Sequence, residues 1–101
     1  MPQVVRSDAY NDWFGAVRDL KAKAGIAVRI ERLIAGNPGD VRPVGEGVSE
    51  LRLDFGPGYR IDFAMRGRDL IVLLGGGDKA TQPRDIALAK ALWSAWKGNE
   101  E

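Results

Sequence analysis

One stretch, Val44 to Leu74, constrains the fold more than any other: VGEGVSELRLDFGPGYRIDFAMRGRDLIVLL. Leu51, Leu53 and Phe55 alternate with Glu50, Arg52 and Asp54. Period two gives a strand one apolar face and one charged face. Gly56-Pro57-Gly58 breaks the run, because Gly allows positive φ and Pro cannot donate to a ladder. Tyr59, Ile61, Phe63 and Met65 then alternate with Arg60, Asp62 and Ala64. A second break, Arg66-Gly67-Arg68-Asp69, leads into Leu70–Leu74. That last run is apolar throughout, as expected of a strand covered on both faces.

The alternation predicts a register. Phe55 pairs with Tyr59 across a three-residue loop. Leu53 then faces Ile61, Leu51 faces Phe63, Arg60 faces Asp54 and Asp62 faces Arg52. A slip by one residue would turn the apolar face to water.

The flanking segments read as helices. Gln3 to Arg6 has the length of a short strand, and Ser7 is a plausible N-cap with Asp8 in the first turn. Trp13, Phe14, Val17 and Leu20 recur at helical spacing, and Gly25 marks the predicted break. Ile26, Ile30, Leu33 and Ile34 repeat the spacing in a second helix, giving a helical hairpin. Gly36-Asn37-Pro38-Gly39-Asp40 stops it. Val41 to Val44 is a short extended segment, confined by Pro43 to an edge. Thr81 caps a late helix, with Pro83 near its first turn and Ile86, Ala89, Trp93 and Trp96 on one side. Trp96 is expected to be exposed to a partner, and Gly98 to Glu101 to fray. The order is β-α-α-β-β-β-α. It predicts an α+β domain over residues 1–101, an antiparallel four-stranded sheet with an N-terminal helical hairpin and a C-terminal helix, the helices on one face.

Composition removes several function classes. Neither cysteine nor histidine occurs, so there is no thiolate metal site, no Ser/His or Cys/His pair, and no histidine base. No run is long and apolar enough to span a membrane. The start, MPQVVRSDAYNDW, lacks an apolar h-region, which predicts a cytoplasmic protein. The net charge is +1, so a basic patch must come from local placement.

The remaining candidates are charges. Arg52 and Arg60 form either an ion-pair ladder with Asp54 and Asp62 or a guanidinium surface for a phosphodiester. Arg18, Lys21 and Lys23 on the first helix, with Arg29 and Arg32 on the second, are either solvated faces or an RNA-facing patch. Gly75-Gly76-Gly77-Asp78-Lys79 has no Walker A spacing. It reads as a strand exit, with an anion-binding loop as the alternative. Glu46 and Glu50 flank the start of the sheet, and a hydrolase would need such acids to converge.

These strings together resemble a known family. NPGDVRPVGEGVSELRLDFGPGYRIDF and LIVLLGGGDKATQPRDIALAK are similar to the RelE/ParE toxin superfamily, closest to its HigB-like branch. The resemblance runs from about Asp12 to Trp93. It is carried by GxGVxELR at Gly45–Arg52, GPGYRI at Gly56–Ile61 and LLxGGDKxxQxxDI at Leu73–Ile86. It implies a toxin held by a cognate antitoxin, of helix-turn-helix DNA-binding type in HigB-like systems. The expected activity is ribosome-dependent, metal-independent mRNA cleavage, with no cofactor. A gyrase poison, or a degenerate toxin that only binds antitoxin, are the alternatives. By resemblance Arg52, Arg60 and Lys79 fall where RelE-like toxins hold and activate RNA. RelE also uses a late tyrosine. None follows Tyr59 here, so Lys79, with Asp78 orienting it, is the candidate for part of that task.

Overall fold

The computed structural model describes residues 1–100, with side chains to Lys97. The fraying expected for Gly98 to Glu101 lies outside the fully described residues. The elements are β1 (Gln3–Arg6), α1 (Asp8–Ala16), α2 (Leu20–Ile34), β2 (Val41–Gly45), β3 (Val48–Arg52), β4 (Arg60–Arg66), β5 (Leu70–Gly77) and α3 (Gln82–Glu100). The fold is α+β, with three helices and a five-stranded mixed sheet in the order β1-β5-β4-β3-β2.

The sheet therefore departs from the four antiparallel strands expected. β2 to β5 form an antiparallel meander, and β1 adds a parallel edge beside β5. Val41–Gly45 is a full strand despite Pro43, because it lies at the other edge and its ladder is irregular between Pro43 and Gly45. Ser7 fixes the parallel edge. Its hydroxyl donates to the Leu74 carbonyl at 3.1 Å and accepts from the Tyr10 amide at 3.1 Å, capping α1 while tying it to β5.

The helices cover both faces, not one. Tyr10 of α1 and Ile26, Ile30 and Leu33 of α2 pack with Leu51, Leu53, Ile61, Phe63, Ile71 and Leu73. On the reverse side Ala89 and Trp93 of α3 pack with Val48, Ala64, Leu70, Val72 and Leu74. The doubly apolar run 70–74 makes this necessary, since each of its faces needs a cover. Trp96 is half-buried rather than free, stacked on Trp93 at 5.4 Å with the Arg66 guanidinium 5.9 Å from its ring.

The β3–β4 register differs from expectation by two residues. Leu51 pairs with Ile61, Glu50 with Asp62 and Arg52 with Arg60, while the Leu53 amide donates to the Tyr59 carbonyl at 3.0 Å. An even shift keeps every side chain on its face, so Leu51, Leu53 and Ile61 still share one core. The turn is wider because Gly56 and Gly58, with φ 62° and 80°, carry the chain round before Tyr59.

The helical hairpin breaks at Val17–Asp19, not at Gly25. Asp19 caps α2, its carboxylate accepting from the amides of Lys21 and Ala22. Gly25 lies inside α2 because the Phe55 ring rests there. A Cβ at Gly25 would sit 2.6 Å from Phe55 Cζ.

Candidate functional site

Three predicted cations come together. Arg52 at the end of β3, Arg60 at the start of β4 and Lys79 after β5 line one cleft of about 430 Å³, with Asp40, Asp54 and Gly56–Gly58. A second hollow, of about 490 Å³, shares Asp40, Arg52 and Asp54 with it and adds Arg29 and Arg32 from α2. The two hollows make one groove with five cations and two carboxylates along its walls. Strand ends place Arg52 and Arg60, and the helical spacing of α2 places Arg29 and Arg32 one turn apart.

These cations are not equally available. Arg60 is only 6% exposed. Its Nε donates to the Gly58 carbonyl at 3.2 Å and its Nη1 to Glu50 Oε1 at 3.3 Å. Arg29 is committed to carbonyls: Arg52 at 2.8 Å, Pro38 at 3.1 Å and Asp40 at 3.4 Å. It holds the groove wall together. Arg52 is half-buried, with its Nε 3.9 Å from Glu50 Oε1. Lys79 and Arg32 are exposed and make no ion pair among the described residues.

Arg52 and Arg60 do not form the ladder expected on this face with Asp54 and Asp62 but share Glu50, because the register sets Arg52 against Arg60 and Glu50 against Asp62. Nor is the face solvated. Glu50, at 2% exposure, and Asp62, at 1%, lie on the side that α3 covers. Glu50 is satisfied by Arg60 and by Gln82 Nε2. Neither oxygen of Asp62 has a hydrogen-bond partner. Burial, then the nearby Glu50 and Asp85 charges, push the Asp62 carboxyl up to about 7, with Arg60 pulling the other way. The sequence signal for this layer was present in the polar alternation at Glu50, Arg60 and Asp62. It pointed to water only because α3 was assigned to the other face.

Gly75–Gly77 are strand residues opposite Asp62, Ile61 and Arg60, not a phosphate loop. Bare backbone is required at the last two, since a Cβ at Gly76 would run into the Trp13 ring and one at Gly77 into the Asp85 carboxylate. The Asp78 carboxylate accepts from the amides of Ala80 and Thr81, at 2.8 and 3.1 Å, so it shapes the turn that carries Lys79. The hydroxyl of Thr81 bonds the Asp85 carboxylate across the first turn of α3. Glu46 pairs with Lys90 at 3.5 Å on the β2–β3 turn and does not converge with Glu50. Arg18 falls in the linker between α1 and α2, so it forms no helical pair with Lys21. Lys23 turns to the Phe14 ring, 4.8 Å away, while Lys21 borders a hollow next to the groove. Among the described residues no three His, Cys, Asp or Glu side chains are placed to hold a metal ion, and no helix is long and apolar enough to cross a membrane.

No family model matches the chain. An uncharacterized protein of Haemophilus influenzae is 43% identical over 90 residues, covering 89% of this chain and 91% of the relative. The chain belongs to that protein's family. At this identity the two chains share a fold across nearly the whole length.

Proposed function

We propose that this protein is the toxin of a toxin–antitoxin pair, a RelE/ParE-like, HigB-like endoribonuclease that cuts mRNA on the ribosome without a metal. The observation that supports it most is the convergence of Arg52, Arg60 and Lys79, from three separate elements, on one cleft. RNA carries its own nucleophile, the 2′-hydroxyl. A nuclease need only hold that oxygen in line with the phosphorus and stabilise the charge that builds on the phosphate. Arg52 and Arg60 suit phosphate, since a guanidinium bonds two oxygens and stays charged. Arg60, with Nε held by Gly58 and Nη1 by Glu50, is fixed in direction and has Nη2 left to offer the phosphate, so the two-oxygen contact falls to Arg52. Lys79, exposed at the cleft, serves proton transfer or the leaving oxygen. The groove past Arg32 continues the path of the strand. In the resting cell a cognate antitoxin, a small helix-turn-helix protein, binds the late helix α3 and its exposed apolar positions, Leu88 among them, in an interface above about 1,000 Å².

The test is a primer-extension map of transcripts after brief induction, in cells with and without antitoxin. Discrete cuts that disappear in Lys79→Ala support the reading. DNA damage without RNA cuts would replace it with a gyrase poison. Unaltered growth with antitoxin still bound would leave a binding protein alone.

A further inference from the structure

Phe55 stands at the boundary between the cationic groove and a further hollow. It lines the groove with Arg29, Arg32 and Arg52. It also lines a neighbouring hollow of about 370 Å³ with Tyr59, Gly56, Gly25, Ala22 and Lys21. That volume lies within the range of about 300–1,000 Å³ typical of small-molecule sites. Phe55 is 38% exposed.

The ring is also held in place. Its tip rests on the bare backbone of Gly25, where a Cβ would lie 2.6 Å from Cζ. Tyr59 meets it edge-on at 5.9 Å and 62°, and Trp13 backs Tyr59 at 6.3 Å and 67°. A rigid, partly exposed aromatic flanked by cations is the arrangement that binds a single strand: bases stack on the ring and phosphates follow the charges. A duplex offers no such face, because its bases are already stacked and paired.

We propose that this hollow takes one unpaired nucleobase of single-stranded RNA, stacked on Phe55 with Tyr59 at its edge, while the phosphates run past Arg32, Arg52 and Lys79. The proposal rests on the RNA reading above and deepens it: the groove selects single strands by a stacking platform. Lys21 and Asp19 share the far rim, which leaves the charge for the phosphates to the groove side.

The experiment uses the full chain and a short RNA carrying 2-aminopurine, whose fluorescence falls on stacking, at low salt. The wild type should bind the strand, quench the probe, and bind the matching duplex more weakly without quenching. Phe55→Leu keeps an apolar plug on Gly25. It should bind roughly 5- to 150-fold more weakly, the scale of one lost base stack, and lose the quench. Phe55→Trp should restore both, which a purely structural role would not require. Arg52→Ala should weaken binding yet keep the quench at saturation. Equal affinity and quench in Phe55→Leu would overturn the proposal, as would a wild type that binds no single strand. An effect of Phe55→Leu on antitoxin binding but not on RNA would assign the hollow to a protein side chain and overturn it too. Transcript cuts in cells without oligonucleotide stacking would leave the nuclease reading standing and this proposal fallen. Stacking without cuts would do the reverse.

Discussion

Both carboxylate oxygens of Glu50 lie within hydrogen-bond reach of one nitrogen, the Nε2 of Gln82, at 2.9 and 2.8 Å. This contact joins the middle of β3 to the first turn of α3. Through Arg60, whose Nη1 lies 3.3 Å from the same carboxylate, it also reaches the cleft.

Removing Glu50 should therefore act on stability and on the site at once. Glu50→Ala leaves the nearly buried Arg60 guanidinium with only the Gly58 carbonyl. Breaking a buried pair from one side costs about 3–5 kcal/mol. A urea titration should show the midpoint fall by that equivalent. Double substitution with Arg60→Met should recover part of the loss, and no recovery would deny the coupling.

Asp62 predicts a pH dependence with a definite sign. Its carboxyl is raised from 3.8 to about 7 in the folded chain. The unfolded chain thus loses its proton first as pH rises, and the folded state binds more protons between those values. Stability from this group is full below about 4, falls between 4 and 7, and is flat above. A shift of this size corresponds to roughly 4 kcal/mol. Asp62→Asn should therefore raise the melting temperature more at pH 8 than at pH 4, and equal gains at both would refute the assignment.

Lys79→Ala should separate function from folding. The side chain is exposed and unpaired among the described residues, so the melting temperature should stay within a few degrees of wild type. Losing one cation that stabilises transition-state charge costs roughly 10²–10³ in rate. Growth arrest and transcript cleavage should fall accordingly while antitoxin pull-down is unchanged. Full toxicity would remove Lys79 from the site.

Leu53→Asp should be severe. Leu53 is buried with Ile61 and Leu51 beneath α2, and an aspartate there has no partner. A loss of several kcal/mol, seen as poor soluble expression or a collapsed denaturation midpoint, is expected.

The sequence carried the pattern of the sheet better than its extent. Period two at Leu51–Phe55 and Tyr59–Met65 identified the hairpin and its apolar face, because successive strand side chains point to opposite faces. It did not set the register, since pairing Leu51 with Ile61 or with Phe63 buries the same face. Val41–Gly45 was hard to read because an edge strand tolerates Pro43 and shows only two half-buried valines. The site was legible as residue types. Arg52, Arg60 and Lys79 do meet. Their unequal availability was not legible, because the burial of Glu50, Arg60 and Asp62 depends on where α3 lies. Phe55 read as one more apolar strand position, and only the notch at Gly25 reveals how it is held.

The parallel edge of the sheet has a consequence for the order of assembly. β1 finds its register only on β5, and the Ser7–Leu74 bond spans 67 positions of sequence. During synthesis β1 must wait, unpaired, until β5 has left the exit tunnel. The β3–β4–β5 meander closes short loops and can form beforehand, whereas joining the first strand carries the largest loop entropy. The seam between the chain's beginning and its late strand is therefore the last to close and, under load or denaturant, the first expected to open. A chain cut before Leu70 has neither this seam nor the turn that presents Lys79, so the cationic cleft cannot form ahead of the strand that closes the sheet.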